Sequence, residues 1–484
     1  MLEDGPGRGS DPEKLARRVV GLCGDCETCR DLMEDEACQF FPRLFQLHDR
    51  ERDDHLQATA GELRDLLELC NMCGLCSCPD VRAGIMEAKG AFIARDGLRP
   101  ALRLLEDVER VGKIGGAFPR LANLVLKKEL AGGFARRVFG IHPDRFLPEF
   151  PKSGFAAWAR RRGLYEKPRG ASRKVAYFAG CTAQYLFPEV ARAAVEVLER
   201  NGVSVYVPEQ KCCGMPSMLE GDLPFTFASA EFNLRQLGAV VEEGFDIVCS
   251  CPTCGYMLKK VLCDGAFFSE EYQAAFRRVL GEAARDPVEM AERMARECLG
   301  SSGKATPPSP RCKPPEGLAH VLASQLHDDG YFRAFSGLRR IAVASHTYDL
   351  GEYLLDLDQR GQFNRTLGSV PERMAYYAPC HLKEQNVGQP WSDLLGLVPG
   401  ASLEKVGGPY DCCGMGGIMG LKREFHESSM AMGRRLAEKI KTAAPDRVVT
   451  ECQGCRVQFL QTIPQRTSHP VEVLRESYAA YREA

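Results

Sequence analysis

The sequence predicts an α+β multidomain protein, with an N-terminal α-helical domain followed by two pseudo-symmetric α/β halves. Three observations predict it. Most of the 22 cysteines fall into four groups instead of being scattered along the 484 residues. The last two groups repeat one spacing. Helical apolar periodicity surrounds the first two groups, whereas short apolar runs alternate with helical segments around the last two.

Bulk properties narrow the function classes. A net charge of -2 argues against a nucleic-acid partner. The opening MLEDGPGRGSDPEKLARR lacks the apolar core of a signal peptide, and no run of roughly 18 apolar residues is present. A cytoplasmic chain is expected. In that reducing compartment, clustered cysteines bind metal or do redox chemistry more often than they form structural disulfides.

Cys23, Cys26, Cys29 and Cys38 form the first group; Cys70, Cys73, Cys76 and Cys78 form the second, with Pro79 directly after. A C-x2-C-x2-C run wraps three thiolates around one tight turn, and a fourth from elsewhere completes the coordination of a 4Fe-4S cubane. In the bacterial ferredoxin arrangement a Cys-Pro ends the run, and its cysteine serves the other cluster. By that logic Cys23, Cys26, Cys29 and Cys78 share one cluster, and Cys70, Cys73, Cys76 and Cys38 the other. One residue separates Cys76 from Cys78, and Gln39 follows Cys38. These departures leave the pairing of Cys38 and Cys78 open. Structural zinc sites use two C-x2-C pairs, which two successive triplets fit poorly. EKLARRVVGL before the first group and GELRDLLELC before the second are helical in pattern. The expected division is a disordered 1–14, a helical ferredoxin-like domain over 15–100, and a basic helical connector over 101–170.

The third group is Cys181, Cys212, Cys213, Cys251 and Cys254; the fourth is Cys380, Cys412, Cys413, Cys452 and Cys455. Cys181 lies 31 residues before Cys212, and Cys380 lies 32 before Cys412. Cys213 lies 38 before Cys251, and Cys413 lies 39 before Cys452. KVAYFAGC and RMAYYAPC are matching apolar runs that end at a cysteine, and KCCGMPSM matches DCCGMGGI. Duplication follows. Strands alternating with helices such as EVARAAVEVLERNG imply parallel α/β units, whose ligands gather beyond the carboxyl ends of the strands. The expected halves are 171–263 and 341–484, separated by an insertion or linker over 264–340. Five thiolates exceed what one cubane or one zinc requires. A four-ligand cluster with a spare thiol and a redox disulfide between vicinal cysteines both remain open.

This single cysteine, CCG pair and terminal C-x2-C resemble the CCG domain of heterodisulfide reductases. The chain is similar above all to the iron–sulfur subunit of anaerobic glycerol-3-phosphate dehydrogenases. GIHPDRFLP (140–148), APCHLKEQNVG (378–388), CCGMGGIMGLKREFHESSM (412–430), VVTECQGCRVQF (448–459) and HPVEVL (469–474) carry the likeness. The resemblance implies two N-terminal 4Fe-4S cubanes and one or two CCG-bound 4Fe-4S clusters, cubane or noncubane. It implies an iron–sulfur subunit of an oxidoreductase complex that relays electrons from a flavoprotein dehydrogenase toward quinone or another acceptor. The heterodisulfide reductase relatives imply a second reading, direct cleavage of a disulfide at the CCG clusters. The non-redox competitor is a zinc-binding scaffold. No Gly-rich dinucleotide fingerprint is present, so flavin and organic substrate are expected on a partner.

Four cysteines stand outside the groups: Cys249, Cys263, Cys298 and Cys312. Thr450 replaces Cys249 in the second half, which argues against a ligand role. His381, next to Cys380, is a weak catalytic candidate, because its counterpart is Thr182. His346 is expected as an N-cap or at the surface. Between Arg136 and Lys174 stand 11 Lys and Arg against Asp144, Glu149 and Glu166, just after the apolar and basic AFPRLANLVLKKEL. Such a stretch suits peripheral contact at the inner face of the cell membrane, or an ordinary connector with a basic face.

Overall fold

A computed structural model describes residues 10–32, 38–74, 76, 78–127, 133, 136–170, 172–280 and 327–481. Cys298 and Cys312, most of the expected disordered start, and much of the 264–340 insertion lie outside these residues.

The N-terminal domain is helical. Its main helices are Pro12–Cys26, Phe40–Asp53, Ala60–Glu68 and Pro79–Asp96. Asp11 caps the first by accepting from Glu13 N–H. Thr59 and Glu62 form a reciprocal capping box on the third. Val19, Leu44, Leu63, Leu66, Ile85 and Phe92 meet in the core between them. Pro79 starts the last helix directly after Cys78, so the chain leaves the second cysteine group at a fixed point.

Two four-stranded parallel sheets follow. The first has strands β1 (Lys174–Phe178), β2 (Ser204–Tyr206), β3 (Asp246–Cys249) and β4 (Thr347–Asp349) in the order β2-β1-β3-β4. The second has β5 (Arg373–Tyr376), β6 (Ser402–Lys405), β7 (Arg447–Val449) and β8 (Arg466–Ser468) in the order β6-β5-β7-β8. The apolar runs before each cysteine landmark are thus the strands β1, β3, β5 and β7, buried because helices cover both faces. In each sheet the order reverses beside the first strand, which opens a crevice at the strand ends.

The boundary at 341 needs correction. β4 pairs in parallel with β3, Ile247 opposite Thr347 and Cys249 opposite Asp349, so it completes the first sheet. The helix after it, Leu350–Gln359, has an Asp349–Glu352 capping box. Its equivalent, Pro470–Ala480, has a His469–Glu472 capping box after β8. The insertion therefore interrupts the first half instead of joining the two. β4 is three residues, TYD, with no apolar run to mark it; only pairing identifies it. His346 is not an N-cap: it caps the C-terminal end of helix Gly337–Ser345, and Asp349 caps the next helix.

The two halves share one core. Tyr177 and Val195 of the first join Tyr376, Trp391 and Leu474 of the second. The first half also shares a core with the N-terminal domain, through Met218, Leu219 and Met257 against Phe41 and Ile85. Helices Pro100–Glu106, Val108–Ala117, Pro119–Lys127 and Phe155–Arg161 form the connector. Among the described residues, no helix is long and apolar enough to cross a membrane.

Candidate metal centres

The strand ends deliver the sulfurs. Cys181 lies in the first turn after β1, on helix Gly180–Tyr185. Cys212 and Cys213 follow β2, and Cys251 follows β3 as the N-cap of helix Pro252–Tyr256, which carries Cys254. Cys212 Sγ stands 3.5 Å from Cys181 Sγ. Side-chain contacts then run from Cys212 to Cys213, from Cys213 to Cys254, and from Cys254 to Cys251. All five are buried. Asn233 fixes the vicinal pair, accepting from Lys211 N–H at 2.9 Å and donating to Cys212 O at 3.0 Å. Gly180 has φ +69, and a Cβ there would stand 2.8 Å from Cys254 Sγ; only glycine fits.

The second half repeats the arrangement. Cys380 opens helix Cys380–Lys383, Cys412 and Cys413 follow β6, and Cys452 caps helix Gln453–Thr462, which carries Cys455. Cys413 contacts Cys412 and Cys455, and Cys455 contacts Cys452. Burial pushes the Cys380 thiol up, with Cys413 and Cys452 adding like-charge repulsion. Gly414 N–H points at Cys412 Sγ, 3.3 Å away.

In the N-terminal domain, Cys23 is pushed up to about 12 by burial, reinforced by Cys29, Cys78, Cys76 and Cys26. Cys38 is pushed up to about 11 by burial, with Cys70 the first thiol beside it. Cys78 acts on Cys23 and Cys29, and Cys38 stands nearest Cys70 with Cys29 also acting on it, so the two triplets adjoin. One cavity is lined by Cys38, Cys70, Cys73 and Cys76, and Cys412 of the second half lines it too.

His381 ties these loops together. Its Nδ1 lies 2.9 Å from Thr253 Oγ1, between Cys251 and Cys254 in sequence. Its Nε2 lies 3.0 Å from Met72 O, between Cys70 and Cys73. A carbonyl only accepts, so Nε2 carries the proton and Nδ1 accepts from the threonine hydroxyl. The ring stacks on Tyr256 at 4.9 Å, and burial lowers its pKa. A neutral, doubly bonded imidazole is a brace between domains. Beside it Arg82 donates to Glu384 at 2.8 Å.

Two further groups face the sulfurs, and neither is singled out by spacing. Glu109, on the connector helix Val108–Ala117, accepts from the backbone N–H of Cys212, and burial raises its carboxyl. Arg145 enters the second half, buried, beside Cys413, and burial lowers its guanidinium to about 10. Arg145 sits within GIHPDRFLP, a stretch marked by likeness alone. Of the other cysteines, Cys249 is buried in β3 and Cys263 is half-buried near Arg340.

The donor set fits iron–sulfur clusters. Soft thiolates are the ligands such clusters take. Backbone N–H groups and glycines leave room for bridging sulfides beside them. The chemistry a bound cluster supplies is one-electron transfer. Among the described residues, no three or more His, Cys, Asp or Glu side chains have single-ion geometry.

Comparison with known proteins agrees with this anatomy. The cysteine-rich CCG domain matches twice, at residues 175–259 and 374–460. An anaerobic glycerol-3-phosphate dehydrogenase subunit from Escherichia coli is 24% identical over 406 residues, 83% of each chain. A CoM/CoB fumarate reductase subunit from Methanothermobacter marburgensis is 22% identical over 463 residues, 93% of this chain and 69% of the relative. An iron–sulfur protein of Methanococcus maripaludis is 32% identical over 87 residues, 18% of this chain and 17% of the relative. These relatives support iron–sulfur clusters and a role in electron transfer within an oxidoreductase complex. The chain carries two copies of the cysteine-rich CCG domain and is homologous to these subunits of anaerobic glycerol-3-phosphate dehydrogenase and of the CoM/CoB fumarate reductase.

Proposed function

We propose that the chain is the iron–sulfur subunit of a multi-subunit oxidoreductase, relaying electrons between a flavoprotein dehydrogenase and quinone or another acceptor. Its cofactors are two N-terminal 4Fe-4S cubanes, held by Cys23, Cys26, Cys29 and Cys78 and by Cys70, Cys73, Cys76 and Cys38. One or two further clusters are held by the CCG cysteines. The observation that carries this reading is the cavity where Cys412 joins Cys38, Cys70, Cys73 and Cys76. A relay needs its centres close together, and this cavity spans the boundary between domains. His381, Arg82 and Glu384 hold that boundary in register.

Peripheral membrane contact belongs to the same proposal. Ile114 on helix Val108–Ala117, Phe118 directly after it and Leu121 on helix Pro119–Lys127 are 61%, 70% and 61% exposed, and the same helices bear Lys113 and Arg120. Apolar side chains beside basic ones suit an anionic lipid surface. Helix Val108–Ala117 also carries Glu109, against Cys212.

The test is reconstitution with a flavoprotein dehydrogenase that co-purifies with this chain. Substrate-dependent bleaching of the iron–sulfur absorbance, followed by reduction of a quinone analogue, is the expected result. Reduction of the flavoprotein alone, with unchanged iron–sulfur absorbance, counts against the relay. A second reading, direct disulfide cleavage, draws on the complete five-cysteine set in each half. It requires disulfide reduction by the isolated chain with an artificial one-electron donor.

A further inference from the structure

Three arginines of the described chain have fully buried side chains: Arg145, Arg340 and Arg447. Arg340 pairs with Asp328, and Arg447 with Glu372 and Glu476. Arg145 has no carboxylate. Its Nη1 reaches Ser429 Oγ at 3.5 Å and Met430 Sδ at 3.6 Å. Its Nη2 reaches Met415 Sδ at 2.7 Å and also donates to Gln458 Oε1. Nε has no partner. These neighbours solvate the guanidinium without neutralising it, and a buried charge without a counter-charge is unfavourable. The acidic group acting on it is the Cys413 thiol, and His426 is a second titratable neighbour, which its charge disfavours protonating. The arrangement therefore calls for an anion at the second CCG site, which a thiolate-bound cluster provides.

The first half lacks such an unpaired cation. Met257 occupies the position of Gln458, three residues after the last cysteine, so no amide is there to hold a guanidinium. Glu109 faces Cys212 instead, and Lys113 Nζ stands 3.6 Å from its carboxylate. One sulfur skeleton thus sits beside an unpaired guanidinium in one half and a carboxylate–ammonium pair in the other. Positive charge stabilises the reduced, more negative form of a centre, and negative charge destabilises it.

We propose that Arg145 is a positioning residue for charge: it holds the cluster of the second half at a higher reduction potential than that of the first, so electrons collect at the second half. This rests on the iron–sulfur reading above.

The test is an EPR-monitored redox titration of the anaerobically purified full chain. Arg145→Gln removes the charge, Gln458→Glu neutralises it with Arg145 in place, and Arg145→Lys keeps it. Both neutralising variants are expected to lower the midpoint of the same single cluster signal. A tenfold change in its oxidised-to-reduced ratio corresponds to about 59 mV for one electron. Arg145→Lys should recover most of the shift, and the other signals should stay in place. Loss of the second-half signal in Arg145→Gln but not in Arg145→Lys also supports the assignment, since charge is what separates them. Loss in both, or unchanged midpoints in both neutralising variants, overturns it. The double variant Cys412→Ser, Cys413→Ser, which leaves the half fewer than four thiolates, separates the two levels: if it leaves every signal intact, the cluster reading of the second half fails, not just the role of Arg145.

Discussion

The two CCG halves share strand order, cysteine placement and helix caps, yet the connector brings an ion pair, Glu109 with Lys113, to the first and an unpaired guanidinium, Arg145, to the second. Glu109 accepts from Cys212 N–H, and Arg145 acts electrostatically on Cys413 from its place on Met415 and Gln458. Duplication kept the donor skeleton, and a segment outside the repeat made the copies unequal. The tolerance of each half to change follows the same logic, and substitutions in each half probe it.

Gly414 should be the most sensitive position. Its φ is +83, and a Cβ there would fall 2.1 Å from Ser429 O, a backbone atom that cannot turn aside. Gly414→Ala should cost more than about 3 kcal/mol by urea unfolding and strip the second half of its iron. Gly180→Ala in the first half meets only the Cys254 sulfur. It should cost about 1–3 kcal/mol and remove iron from the first half alone. Equal losses from both halves in either variant would show that the halves assemble as one unit.

His381→Ala removes two hydrogen bonds and a ring stack that span the halves and the N-terminal domain. A loss of about 2–3 kcal/mol is expected, read from the urea midpoint. Unchanged stability would mean that His381 does not brace the junction.

The interface between the halves carries a pH dependence. Burial raises Asp349 of the first half to about 7 and Glu451 of the second to about 8. Tyr376 Oη donates to Glu451 at 2.5 Å. A raised carboxyl pKa means the folded state binds more protons. Its stabilising effect is full below the unfolded carboxylate range, near about pH 4, and is lost as pH rises through about 7–8. Unfolding midpoints should fall between about pH 5 and pH 8, and Glu451→Gln should flatten the fall; a slope unchanged in that variant would locate the effect elsewhere.

Cys249→Ala should do least. Cys249 lies within β3, and its second-half counterpart is Thr450. A cost of about 1 kcal/mol with iron content unchanged is expected. Loss of iron would make Cys249 a ligand and break the equivalence of the halves.

Much of this was legible in the sequence because covalent spacing carries it. Cys181, Cys251, Cys380 and Cys452 follow apolar runs that form the buried strands β1, β3, β5 and β7, whereas Cys412 follows the largely exposed β6, SLEK. The repeat established which strands correspond. β4 was not legible: three residues with no periodicity acquire their meaning only by pairing with β3, roughly 100 residues earlier. Arg145 and Glu109 were equally hidden, since each reaches its sulfur group across tertiary contacts that leave no spacing. His381 was visible as a residue beside a cysteine, but its grip on Met72 and Thr253 was not.

The central claim is that the grouped thiolates hold iron–sulfur clusters, and metal and acid-labile sulfide analysis of the anaerobically purified chain tests it most directly. Iron and sulfide in equal amounts are predicted, with serine substitutions in any one cysteine group removing both together. Zinc in excess over iron, without acid-labile sulfide, would contradict it.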